Sequence, residues 1–347
     1  MKRRLRRLVL LQLRALRAAF MLAVVGLGFL RSRRQIVFSW PSPAPVLGPK
    51  LVLFMHFDRH GRVREALFDY MRELAGTGRA LVFVTNSGKL TPDALARLQE
   101  ICQVVMVRKN IGYDFGAWRD ALEALGLPRA DTREIILAND SVFGPVKPLA
   151  GILERFDYAQ ADIWGLTDSW QSRYHLQSFF LAFGPKALGS AAWRKFWAGV
   201  RPVPAKTYVV KEYEIGVTQA MLRGQLRCAA LWPYYQLLDM AKPDDLQTLA
   251  QAEETDLGRM DPIHVTRKLH VLRIRNGIAQ RLPMNPTAEL WRQLLLTGFP
   301  FLKRELLRDN PTNVEDLHEW QAVVRAVGGD PAPILQDLQL MMKDGAP

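Results

Sequence analysis

Polar and charged side chains recur in this chain at one kind of place, the ends of short apolar runs. "LVLFMHF" (51–57) finishes in His56 and is followed by Asp58 and Arg59, and "ALVFVTNSG" (80–88) ends in Thr85-Asn86-Ser87-Gly88. "CQVVMVRKN" (102–110) leads into Asn110-Ile111-Gly112-Tyr113-Asp114, and "EIILAND" (134–140) ends in Asn139-Asp140, with Ser141 next. Carboxylates, amides and hydroxyls of this kind bind sugar hydroxyls and phosphates, and carboxylates also move protons. A polar triplet at the tip of a buried strand is costly unless something outside the sheet uses it. Gly112 and Gly116 would let backbone approach a ligand, and the helix start beside them favours an anion. Asp114 could equally serve as the cap of a helix beginning near Phe115.

The elements that must carry these groups alternate. Each of the first three apolar runs precedes a helical pattern. In "RVREALFDYMRELAG", Val63, Leu67, Tyr70, Met71 and Leu74 share a face. "TPDALARLQEI" has Thr91 placed as N-cap and Pro92 at the first helical position, and "FGAWRDALEAL" follows the third run. Runs without polar alternation, separated by helices, predict a mostly parallel sheet covered on both faces. In such sheets ligands sit beyond the carboxyl ends of the strands, which is where the four polar clusters fall. GxxxxGK[ST], GxGxxG after the first strand, GxSxG and HExxH are all missing, so NTPase, dinucleotide, serine-hydrolase and zinc-protease chemistry lose their main support.

The net charge of +13 suggests a nucleic-acid binder until it is located. Ten Lys or Arg and no acid lie in residues 1–34, leaving +3 for the other 313 residues, so no nucleic-acid partner is expected. The uninterrupted apolar run of the arm, Ala18 to Leu30, has 13 residues, short of the roughly 20 that span a bilayer core. As a helix, residues 1–39 would set Arg3, Arg6, Arg7, Arg14 and Arg17 opposite a Leu/Val/Phe face, which suits a helix lying in a membrane surface. "WPSPAPVLGPK" (40–50), with four prolines in eleven residues, reads as a linker. Cys102 and Cys228 are far apart in apolar surroundings and read as buried thiols, in keeping with a reducing compartment. Trp164, Trp170, Trp193 and Trp197 read mostly as core.

Five segments in order, "NIGYDFGAW", "ILANDSVFGP", "DIWGLTDSW…YHLQSFFLAF", "YEIGVTQAMLRG" and "FPFLKRELLRDNP", resemble the rhamnan synthesis protein F family over roughly residues 50–322. The resemblance implies an α/β, GT-A-like fold, with a catalytic domain over 51–238 and a mainly helical extension over 239–347 packed on it. It implies a hexosyltransferase of polysaccharide biosynthesis, moving rhamnose or another hexose from a nucleotide sugar to a cell-surface polysaccharide or lipid-linked glycan. The place implied is the cytoplasmic face of the bacterial inner membrane, held peripherally through residues 1–34. A non-catalytic carbohydrate-binding or scaffold subunit is the alternative, supported by the single acid in the Asn139-Asp140-Ser141 triplet.

Carried onto this sequence, the resemblance gives donor contacts to Asp58, Asn86, Asn110, Gly112, Asp114, Asn139, Asp140, Ser141 and Lys206. Asp140 would supply charge to a divalent cation, Mg²⁺ or Mn²⁺, with Asp114 helping. Without a metal, Arg108, Lys109 or Lys206 would have to neutralise the leaving group. Glu214, at a predicted helix start, is the implied catalytic base and Asp168 the second catalytic carboxylate. His175 and Gln177, on one face if "YHLQSFF" is a strand, are the sugar or acceptor contacts.

Overall fold

The computed structural model describes residues 35–240 and 262–343, together with the isolated helical residues Ala19, Ala23 and Gly26. The basic arm is otherwise outside the described residues, and so is the acidic stretch from 241 to 261. Among the described residues no helix is long and apolar enough to cross a membrane.

One sheet organises the molecule. Strands β1 (Ile36–Trp40), β2 (Lys50–His56), β3 (Ala80–Thr85), β4 (Val104–Arg108), β5 (Glu134–Asn139), β7 (Ile163–Ser169), β9 (Phe180–Phe183) and β10 (Cys228–Trp232) lie in the order β1-β4-β3-β2-β5-β9-β7-β10. The four strands predicted from apolar runs are adjacent and mutually parallel: β4 with β3, β3 with β2, and β2 with β5. β9 runs antiparallel between β5 and β7, and β10 is parallel to β7. Their lack of polar alternation has a direct cause. Val52 and Phe54 face one apolar core with helix α1 (Glu65–Gly76), whereas Leu51, Leu53 and Met55 face the other with α3 (Tyr113–Ala124). Each such side chain, fully removed from water, contributes about 1.5–3 kcal/mol. The mostly parallel sheet flanked by helices is therefore the architecture expected.

Helix α2 (Pro92–Ile101) starts as its sequence dictates: the Thr91 side chain accepts a hydrogen bond from the Ala94 amide. Helix α3 does not start as expected. Its N-cap is Gly112, in the left-handed region at φ 86°, and Asp114 lies inside the first turn. A Cβ on Gly112 would stand 2.8 Å from Pro202 Cα, so glycine is required there by backbone packing.

Three regions differ from the sequence-based boundaries. Residues 36–40, of which the sequence assigns 36–39 to the helical arm and Trp40 to the linker, form β1, antiparallel to β4 with a bulge between Ile36 and Phe38. The segment is rich in β-branched and aromatic residues, and it covers what would otherwise be an open sheet edge. The proline-rich segment after it is irregular but packed, with Leu47 buried and its carbonyl accepting from the Arg129 guanidinium. The C-terminal region is largely helical, including α5 (Pro262–Ala279) and α6 (Ala332–Lys343), but it also supplies a strand. β6 (Val142–Phe143) pairs antiparallel with β11 (Leu302–Lys303), so Lys303 lies opposite Val142. A satellite core of Phe143, Trp291, Leu302, Leu306 and Trp320 holds the two regions together.

Candidate functional site

The carboxyl ends of β2 and β5, the loop after β2 and the segment after β11 enclose a cleft of about 290 Å³. Its walls include Asp58, His60, Arg62, Arg64, Asp140, Ser141, Lys206, Lys303, Arg304 and Arg308. That volume is at the low end for small-ligand sites, and its lining is dominated by cations.

Behind its first wall, formed by the Asp58 loop, lies a hydroxyl relay. His56 Nδ1 lies 3.0 Å from Thr85 Oγ1, which is 2.7 Å from Ser87 Oγ, and Ser87 Oγ accepts from the Asp58 amide at 2.9 Å. Burial lowers the pKa of His56 below its ordinary value, although Asp140 and Asp58 pull the other way. Asp58 then turns the loop, accepting from the amides of His60 (2.8 Å) and Arg62 (3.1 Å). Burial opposes the Asp58 charge, but those two amides and the Arg62 guanidinium outweigh it and hold its pKa below the usual carboxylate range.

The second wall is the triplet after β5. Asn139 donates from Nδ2 to Asp114 Oδ2 at 2.6 Å, while its Oδ1 accepts from Ser141 N (3.1 Å) and Ser141 Oγ (2.6 Å). Asp140 Oδ2 accepts from the Phe57 amide (3.3 Å) and from Arg304 Nη1 (3.1 Å). Lys303 Nζ donates to Ser141 Oγ at 3.1 Å and sits 4.4 Å from the centre of the Phe179 ring.

Glu214 lies close enough to the second wall for its charge to act on Asp114 and Lys303. Lys206 opens a helical stretch that passes through a π-helical segment, Val209–Glu214, into helix α4 (Ile215–Arg223). Glu214 is thus at a π-to-α junction and not at a helix start, because the chain is already helical before it. Such π segments recur at functional sites. Glu212, two positions earlier, is exposed and pairs with Lys211 at 3.4 Å. Burial pushes Asp114 up to about 7, reinforced by the charges of Asp140 and Glu214 and opposed by the Asn139 hydrogen bond and by Lys303. Burial brings Lys303 down to about 8, against the pull of Glu214 and Asp114. Asp114, Asp140, Glu214 and Lys303 therefore form one electrostatic cluster.

Asp114 yields a pH test. Its native pKa, about 7, exceeds its ordinary 3.8, so the folded state holds that proton more tightly. The stabilisation this gives is complete below pH 3.8 and disappears as pH rises through about 7. Urea unfolding at several pH values should show wild type losing stability relative to Asp114→Asn over that window. Parallel curves for the two proteins would refute the raised pKa.

Other predicted site residues are placed elsewhere or otherwise employed. Asn86 is fully buried, donating to Tyr113 O at 3.0 Å and accepting from Arg108, so it positions the start of α3 and does not face the cleft. Gly112 packs against Pro202, and Asn110 is an exposed loop residue. Arg108, one of the three candidates for neutralising a leaving group, is buried against Asp120, with Nε and Nη2 at 2.8 and 2.7 Å from Asp120 Oδ2. Of those three only Lys206 lines the cleft; Lys109 is exposed elsewhere. Asp168 is a core carboxylate, its pKa raised by burial, accepting from the Tyr234 amide at 2.6 Å. His175 belongs to a two-residue strand, β8 (His175–Leu176), with Nδ1 2.8 Å from the Arg173 carbonyl, and Gln177 donates to Asn285 Oδ1 at 3.1 Å. Asp168, His175 and Gln177 are absent from the cleft walls. Trp164, Trp193 and Trp197 are core, whereas Trp170 is half exposed.

The cations from the C-terminal region escaped the sequence reading, although "FPFLKRELLRDNP" contains them. The available signal was a Lys303-Arg304 pair directly after the apolar run Phe299–Leu302.

The donor set does not fit a resident divalent cation at Asp140. A hard cation needs several free oxygens, but Asp140 Oδ2, Asn139 Oδ1 and Ser141 Oγ are already engaged by N–H or O–H groups. Among the described residues no three His, Cys, Asp or Glu side chains gather in a group able to hold a metal.

A mostly parallel α/β sheet flanked by helices, with a cation-lined cleft at its carboxyl rim, defines the fold class. Within that class, residues 81–250 match the family described as Rhamnan synthesis protein F, the family the sequence resembles. Virulence protein VirA of Vibrio anguillarum is 29% identical over 245 residues, 69% of this chain and 72% of the relative. Protein y4gN of Sinorhizobium fredii is 31% identical over 179 residues, 50% of this chain and 46% of its own. Among solved structures, the mannosyltransferase PcManGT of Pyrobaculum calidifontis, in complex with GDP-Man and Mn²⁺, is 13% identical with a TM-score of 0.33, covering 90% of this chain and 97% of that one.

Proposed function

We propose that this chain is a nucleotide-sugar-dependent glycosyltransferase that moves a hexose, such as rhamnose, onto a polysaccharide or lipid-linked glycan. The observation that carries this is the meeting of Glu214, Asp114 and Asp140 with Lys303, Arg304 and Lys206 at the strand ends. The match to the rhamnan synthesis family supplies the sugar chemistry. In this reading the diphosphate of the donor lies in the cationic cleft. Glu214 accepts the proton of the acceptor hydroxyl as its oxygen bonds to the anomeric carbon. The bond from that carbon to the diphosphate breaks, and the electron pair leaves with the diphosphate. Protonated Asp114 would keep three carboxylates in one cluster from carrying three charges.

A screen of UDP-, GDP- and dTDP-sugars tests this, with binding read by thermal shift and turnover by release of the nucleoside diphosphate. One nucleotide class should bind and turn over. Failure of every nucleotide sugar to bind would overturn the proposal, and binding without turnover would favour the non-catalytic carbohydrate-binding subunit.

A further inference from the structure

The cleft holds two consecutive cations that come from far along the chain, and their placement is specific. Pairing of β11 with β6 sets Leu302 against Phe143 and Lys303 against Val142, and the Arg304 amide continues the ladder to the Ser141 carbonyl at 3.0 Å. The backbone thus delivers Lys303 and Arg304 to the triplet with little freedom. Arg304 Nη1 reaches both the Asp140 carbonyl (2.6 Å) and Oδ2 (3.1 Å), while Lys303 Nζ takes Ser141 Oγ (3.1 Å). Arg304 is fixed further by Met341 Sδ at 3.2 Å and by the Phe143 ring. Preorganised donors of this kind stabilise developing negative charge because they need no reorganisation as it appears.

On the reading that the cleft is a donor site, we infer that Lys303 and Arg304 hold the leaving diphosphate directly and that the site works without a divalent cation. The triplet's oxygens then serve to orient these two cations and not to ligate a metal. A divalent ion seated at Asp140 Oδ2 would have to displace the Arg304 guanidinium, and at either carboxylate oxygen it would meet the like charge of Arg304 and of the nearby Lys303 ammonium. An incoming diphosphate instead meets donors already aimed into the cleft, with Lys206 and Arg308 further along its wall. Burial lowers the Lys303 pKa to about 8, and the Glu214 charge opposes that shift.

Titration calorimetry of the full chain with inorganic pyrophosphate separates the possibilities. Binding in EDTA should be at least as tight as binding with excess Mg²⁺ or Mn²⁺, which draw pyrophosphate into complexes of their own. Lys303→Met should weaken it about tenfold, the effect of losing one charge-assisted hydrogen bond, and Lys303→Arg should restore most of it. Binding that vanishes in EDTA and returns with the metal would overturn the inference while leaving the donor site intact. Equal affinity of wild type and Lys303→Met would also overturn it. No binding under either condition would remove the donor site itself, and the inference with it. The wild-type metal comparison decides the question even if the Lys303 variants fail to fold.

Discussion

Replacing Glu214 by Gln should lower kcat for sugar transfer by about 10²–10⁴-fold, the usual effect of losing a positioned general base. Donor affinity should stay near that of wild type, because the cleft walls do not include Glu214. Gln keeps the size and hydrogen-bonding capacity of the side chain but cannot take a proton. The substitution has a second readout, since the Glu214 charge raises the pKa of both Asp114 and Lys303. Its removal should shift the pH profile of donor binding to lower pH, which mere loss of a helix contact would not do. Glu212→Gln is the matched control: that side chain is exposed, pairs with the neighbouring Lys211, and its substitution should leave kcat unchanged. Wild-type turnover in Glu214→Gln, or an equal loss in Glu212→Gln, would remove Glu214 from the mechanism.

The parallel strands were legible because each is buried on both faces, so their runs carry no polar interruption until the rim. Asp58, Asp140 and Ser141 were legible for the same reason, as polar residues just past the end of a core strand. Asn86 looked equivalent, but its amide is taken by Arg108 of the neighbouring strand and by Tyr113 O, contacts no local pattern records. The fate of Arg108 likewise depends on Asp120, one turn or more into the next helix. Lys303 and Arg304 were hidden differently. A two-residue strand has no period to detect, and its partner β6 lies about 160 residues earlier. His175 and Gln177 show the converse error. Strand alternation put them on one face, but β8 ends at Leu176 and Gln177 turns to Asn285. Tertiary pairing decides these cases, and it decides them after the local signals are spent.

Asp120→Ala should destabilise the protein by about 3–5 kcal/mol, the cost of breaking a buried ion pair from one side. Arg108 and Asp120 are 0% and 1% exposed, so the guanidinium left behind would have no water to replace its partner. Burial already works against the Arg108 charge, and Asp120 is the main group restoring it. The loss would reach further, because Asp120 Oδ2 also accepts from the Gln35 amide at 2.9 Å, next to β1 on the sheet edge. Urea unfolding measures the effect, and a loss below about 1 kcal/mol, typical of an exposed pair, would contradict it. Arg108→Met with Asp120→Leu should recover much of the stability, since two apolar groups need no partner. It should not recover donor binding. Arg108 also donates to Asn86 and to the Ile111 carbonyl, which shape the loop that presents Asp114. A double variant that is stable yet binds pyrophosphate weakly would therefore separate the two duties of Arg108: neutralising a buried acid, and holding the third strand end in register with the cleft.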